Sequence, residues 1–164
     1  MVTLENLIEA LRNELQQYGE MLARLDHQQE MVLQQRTDDI LRSISAIDSQ
    51  SGAIQAARAN RQLAQRGLAE RLGQVREMTF AHLIPLMPEP YRPLVTALVQ
   101  ENNELLLRVR QRAQQSHVLL RQSLEMLQRF ITTLPSHDTT VLSRRDQIPG
   151  APIETDLPLY EAIV

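Results

Sequence analysis

Leu4, Ile8, Leu11, Leu15, Tyr18, Leu22, Leu25 and Val32 follow one another mostly in steps of three and four, with Gln29 as the one break. A repeat of about 3.5 residues is an a/d seam, which lets a helix bury a narrow stripe against another helix. Two later stretches carry the same helical spacing, and beyond Leu134-Pro135 it stops. The pattern predicts an all-α fold: an elongated antiparallel helical bundle, or coiled coil, of three long helices with a short Pro-flanked helix and a disordered C-terminal tail. The bundle should occupy residues 1–134, with helices over about 3–36, 38–72, 75–84 and 93–134, followed by a tail over 135–164.

Local signals set these bounds. Thr3 is placed to cap the first helix, with Glu5 and Glu9 near the positive end of its dipole. Thr37, followed by Asp38 and Asp39, reads as a second N-cap. So short a connection makes the first two helices antiparallel neighbours. The second helix begins on Ile40, Ile44, Ile47 and Ile54 and closes on Leu68 and Leu72. Its middle, with Ala56, Ala57, Arg58, Ala59, Arg61 and Arg66, is small or charged and should be the softest part of the bundle. After Gly73, Val75, Met78, Phe80, Leu83, Ile84, Leu86 and Met87 are densely apolar, while Pro85, Pro88, Pro90 and Pro93 forbid one continuous helix. This elbow is either a cap that closes the bundle or a docking hook for a partner.

The third long helix starts near Pro93, since proline suits a first helical position. Its stripe runs through Val95, Leu98, Asn102, Leu105 or Leu106, Val109, Ala113, His117, Leu120, Leu124, Leu127, Ile131 and Leu134. Steps of four around Val109–His117 read as a stutter. An Asn in such a seam fixes register. Leu119, Met126 and Phe130 widen the stripe near its end beyond what one seam needs. The first two helices are only about 35 residues long, so the end of a helix of roughly 40 should outrun its partners. In the tail, Ile153, Leu157, Leu159, Tyr160, Ile163 and Val164 sit among Glu154, Asp156 and Glu161. That segment can fold back over the end of the third helix or meet a partner.

Composition narrows the function classes. Charged residues are all Arg, Asp or Glu, with no Lys, no Cys and no Trp, and aromatics make up 3 % of the chain. A core built around large rings is therefore not expected, and a disulfide framework or a thiolate metal site is excluded. A net charge of −3 argues against nucleic acid, whose binders present a basic surface. No stretch approaches the roughly 20 apolar residues of a membrane span. Acidic residues in the first turns break any secretion-signal pattern, so a cytoplasmic location is expected. The third helix is basic, whereas the first helix and the tail are acidic, so the charges complement one another.

Nothing in the pattern points to catalysis or a cofactor. His27, His82, His117 and His137 stand apart, none with a second ligand at helical metal-binding spacing. The glycines form no phosphate loop, and neither a G-x-S-x-G turn nor a cysteine nucleophile is present. The expectation is a binding protein rather than an enzyme, with no metal and no cofactor.

With those features in place, the chain resembles the FlgN-type flagellar type III export chaperones over about residues 3–134. The resemblance is carried by Leu4-x-x-Leu7-Ile8 through Leu22-x-x-Leu25, the polar break at Thr37-Asp38-Asp39-Ile40-Leu41, and a second helix ending at Arg71-Leu72-Gly73. It is also carried by Leu98-Val99-Gln100-Glu101-Asn102-Asn103-Glu104-Leu105-Leu106. Where the family commonly has a Tyr-Gly segment after the third helix, this chain has Leu134-Pro135-Ser136-His137. The resemblance implies an escort of hook-filament junction (hook-associated) proteins, which binds their helical termini, prevents premature assembly and delivers them to the flagellar export apparatus. The residues expected to meet that partner are Leu120, Leu124, Leu127, Phe130, Ile131, Leu134 and Tyr160. A structural or adaptor coiled coil that self-associates, as a homodimer, is the competing expectation.

Overall fold

The computed structural model describes residues 2–74 and 78–133, and all regular structure there is helical. Helix α1 spans Val2–Leu33, α2 spans Thr37–Arg71, α3 spans Phe80–Leu83 and α4 spans Arg92–Thr133. Two 3-10 turns, Ile84–Leu86 and Glu89–Tyr91, join α3 to α4. The long helices run up, down and up. Antiparallel pairing of α1 with α2 brings Gln28 Nε2 to Ser43 Oγ at 3.1 Å and Glu14 Oε2 to Arg61 Nε at 3.1 Å. Helix α4 returns parallel to α1: Asn102 Nδ2 donates to the Leu11 carbonyl at 3.1 Å, and Arg112 Nε meets Asp26 Oδ1 at 2.8 Å. The middle position belongs to α1, which packs on both other long helices, while α2 and α4 meet much less.

That central position explains which α1 residues are buried. They are Leu4, Leu7, Ile8, Leu11, Glu14, Tyr18, Met21, Leu25, Gln28, Met31 and Val32. The heptad thus passes through Leu7, Glu14, Met21 and Gln28, one residue before the expected Ile8, Leu15, Leu22 and Gln29. Leu15 and Leu22 are only half-buried. A helix sandwiched between two neighbours buries a wider arc than a single seam, and here that arc takes in a carboxylate and an amide.

The helix ends follow from backbone chemistry. Thr3 already lies within α1, and Arg36, not Thr37, precedes α2, without a side-chain cap. Gln35 closes α1 in the left-handed region at φ 56°, with Arg36 N–H donating to the Met31 carbonyl and Gln35 N–H to that of Val32. Gly73 plays the same part after α2 at φ 75°, a conformation that glycine adopts without a Cβ penalty. Its N–H donates to Glu70 and that of Gln74 to Ala69. The short helix is briefer than the expected 75–84: Thr79 is extended, at φ −71° and ψ 160°, and the helix begins only at Phe80. Pro85, which has no N–H to donate, then tightens the chain into the 3-10 turn. Val75 lies outside the described residues.

Two apolar clusters fill the interior. The lower one joins Leu4, Leu7, Ile8 and Leu11 of α1 to Leu68 and Ala69 of α2 and to Val95, Leu98 and Val99 of α4. Phe80, Leu83, Ile84 and Met87 close it from below, so the elbow caps the bundle. The upper cluster gathers Tyr18, Met21, Leu25, Ile47, Ile54, Leu106, Val109 and Ala113.

Polar layers punctuate this core. In α2, the stretch expected to be softest holds Arg58 and Arg61 against the fully buried Glu14, at 3.8 and 3.1 Å. Tyr18 OH donates to Glu14 Oε1 at 2.8 Å, and burial together with that carboxylate pushes the phenol above its ordinary pKa. Arg61 also donates to Gln65, whose amide donates to the Met78 carbonyl at 2.5 Å, and its guanidinium lies 5.8 Å from the Phe80 ring centroid. The elbow is thereby tied to the bundle's charged centre. Asn102 is fully buried and spans the α1–α4 seam. The buried positions Val95, Val99, Asn102, Leu106, Val109, Ala113 and Ser116 alternate steps of four and three, so the stutter expected around Val109–His117 does not occur. Ser116, bonded to Gln28, takes the seam position expected of His117, which is exposed.

Candidate partner-binding ridge at the end of α4

The register of α4 against α1 decides what the end of α4 can touch. Asn102 lies beside Leu11, Leu105 beside Gly19, Arg112 beside Asp26 and Gln29, and Ser116 beside Gln28. Each α4 residue therefore sits level with an α1 residue about 83–91 places earlier. The tip of the α1–α2 hairpin, Leu33 to Thr37, is reached near residue 120. Helix α4 continues to Thr133. At about 1.5 Å per residue its last turns overhang the hairpin by roughly 20 Å.

On that overhang the seam goes on with no described residue of α1 or α2 opposite it. Leu124 is 42 % exposed, Met126 67 %, Leu127 54 %, Phe130 65 % and Ile131 60 %, whereas Leu7 and Leu11 in the lower core are 0 %. Leu120, at the level of the hairpin tip, is half-buried. Leu120, Leu124, Leu127 and Ile131 stand at i, i+4, i+7 and i+11 on one side of α4. Phe130 and Met126 extend that side into a broad apolar face. The helix holds its own polar groups there: Arg121 pairs with Glu125 at 3.1 Å, and the Thr132 and Thr133 hydroxyls donate to carbonyls one turn back. Leu134 and Tyr160 lie outside the described residues, so the structure brings together five of the seven expected contact residues.

Such a ridge offers shape and apolar area, the requirements for taking a partner helix. Each large apolar side chain it covers is worth about 1.5–3 kcal/mol when removed from water. Leu33 and Leu41, near the hairpin tip, are also exposed, as is Ile44, which the pattern placed on the buried stripe of the second helix. Their positions just before and after the reversal were the available signal, because a tip has no neighbour beyond it.

Among the described residues no group of His, Cys, Asp and Glu side chains is arranged to hold a metal ion. An open groove between α1 and α2 is lined by Asn6, Glu9, Asn13, Asn60, Leu63 and Gly67, a single carboxylate among amides and apolar groups. No helix among the described residues is long and apolar enough to cross a membrane.

Comparison with known proteins places this architecture. The family model described as FlgN protein matches residues 1–144, which takes in every helix described above. The chain belongs to the FlgN family. No curated protein and no solved structure matches it. FlgN proteins form a family of flagellar export chaperones, not of enzymes. The match ends before the acidic, apolar segment that begins at Ile153, so that segment of this FlgN protein lies beyond what the family model describes.

Proposed function

We propose that this protein is a cytoplasmic export chaperone that binds the helical termini of hook-filament junction proteins along the α4 overhang, keeps them from assembling early and delivers them to the export apparatus. One observation carries the reading: the ridge of Leu124, Leu127, Phe130 and Ile131 is exposed on a helix that outruns its own bundle. A terminal segment that is helical in the assembled structure carries apolar residues every three to four positions. The ridge presents the complementary spacing, and the pairing withholds the segment from its assembly partners.

The test is titration calorimetry of the full chain with the terminal helices of hook-filament junction proteins. Replacing Leu124→Asp together with Leu127→Asp should abolish binding, while circular dichroism shows the α1–α2 hairpin and its melting unchanged. Undiminished binding by that variant would remove α4 as the cargo face. The same face could instead pair two copies of this chain, making it a self-associating coiled coil. Sedimentation equilibrium without cargo separates the readings, since self-association gives a mass and a melting temperature that rise with protein concentration.

A further inference from the structure

We propose that residues 153–164 of this chain are a built-in, displaceable cover for the α4 overhang. That the cover regulates cargo rests on the function proposed above; that it docks does not. The ridge is apolar and set in basic surroundings. From Arg108 onward α4 carries Arg108, Arg110, Arg112, Arg121 and Arg129 against Glu125 alone. Asp26 and Glu125 pair with Arg112 and Arg121, which leaves this end of α4 net positive. Residues 147–164 have the opposite character, with Glu154, Asp156 and Glu161 and no basic residue. Ile153, Leu157, Tyr160 and Val164 are spaced by four, three and four between those carboxylates. They repeat the spacing of Leu120, Leu124, Leu127 and Ile131, and the carboxylates among them are opposite in sign to the net positive end of α4.

Reach and concentration favour the same occupant. Residues 134–152 link the end of α4 to Ile153, and 19 residues span up to about 60 Å. The ridge is only about 20 Å long. Tethering on a short linker holds the segment at an effective concentration of about a millimolar, far above any second copy in dilute solution. A cover closed nine-tenths of the time weakens an incoming helix about tenfold, so cargo must out-compete it. Because the family model ends at residue 144, the cover is a feature of this chain rather than of the matched region.

The absence of native cysteine gives a clean experiment on the full chain. A spin label on A162C, in 15N-labelled protein without cargo, should broaden the backbone amides of residues 120–133 equally at all dilutions. L127D, outside both buried clusters, should remove that broadening and leave the amides of α1 and α2 in place. Adding L157D and Y160D to otherwise native protein should tighten binding of a junction-protein helix about tenfold. No broadening at residues 120–133, or broadening that survives L127D, overturns the proposal. So does broadening seen only when spin-labelled 14N chain is mixed with unlabelled 15N chain, which would make a second copy the occupant. Since the first readings need no cargo, failed cargo binding would count against the chaperone reading alone.

Discussion

The middle of the bundle buries a carboxylate and a guanidinium, with a second guanidinium half-buried beside them, while the end of α4 leaves Leu127, Phe130 and Ile131 in solvent. Residue type alone predicts the reverse. The difference lies in what stands opposite. Glu14 is walled in because α1 runs between α2 and α4, and Arg58 and Arg61 arrive at its level on the antiparallel helix. Leu127 occupies an equally regular seam position, but α1 and α2 have already ended. Burial here is set by register and helix length, and side-chain chemistry decides what burial is worth. The charged layer contributes more to uniqueness of register than to net stability, because a well-packed apolar layer would do as well energetically. The bare ridge is the converse: apolar area whose free energy becomes available only when something covers it.

The largest expected effect breaks the comparison at its buried end. Glu14→Ala takes away the anion that Arg58 and Arg61 share and the acceptor of the Tyr18 hydroxyl. Removing one member of a buried ionic group costs about 3–5 kcal/mol. Urea unfolding followed by circular dichroism should show a loss of that size. A loss below about 1 kcal/mol would mean that water reaches this layer and the α1–α2 register is held elsewhere.

Truncating the same residue type in both regions sharpens the comparison. Leu25→Ala opens a cavity in the upper cluster and should cost about 2–5 kcal/mol. Leu127→Ala should cost less than about 0.5 kcal/mol, as expected of a surface position. Similar losses at the two sites in the full chain would show that the ridge is already covered firmly in the free protein.

The sequence makes the lengths and order of the long helices readable, because a 3.5-residue period sustained over thirty residues has few other interpretations. The structure describes α2 over Thr37–Arg71 and α4 over Arg92–Thr133, and the excess length of α4 follows from counting residues. The face of α1 was less readable. Leu15 and Leu22 look like better seam residues than Glu14 and Met21, and only the position of Arg58 and Arg61 on the opposing helix favours Glu14. A seam that admits charge is visible only when two helices are read together. The stutter expected in α4 fails for a similar reason: Ser116 is small enough to enter the interior and donate to Gln28 Oε1, which restores a step of three, whereas the stripe alone favours His117. The elbow's role as a cap depends on Phe80 and Leu83 reaching the start of α1, a contact that no local pattern specifies.

The smallest effect probes the buried centre without removing it. Burial, and next the Glu14 carboxylate, raise the Tyr18 phenol in the folded protein above the ordinary value near 10. A raised folded pKa means that this contribution is whole below the unfolded pKa and drains away as pH climbs past 10 toward the folded value. One pH unit above 10 the loss should be about 1.4 kcal/mol. The chain is suited to the measurement because it has neither Lys nor Cys, so its tyrosines dominate the side-chain titration in that range. Urea midpoints taken between pH 8 and 11 should fall for the native chain and stay nearly level for Tyr18→Phe, which keeps the ring and the arginine pairs. Parallel decline of the two would place the alkaline weakness outside the Glu14 centre, and the middle of the bundle would then owe its order to the apolar clusters above and below it.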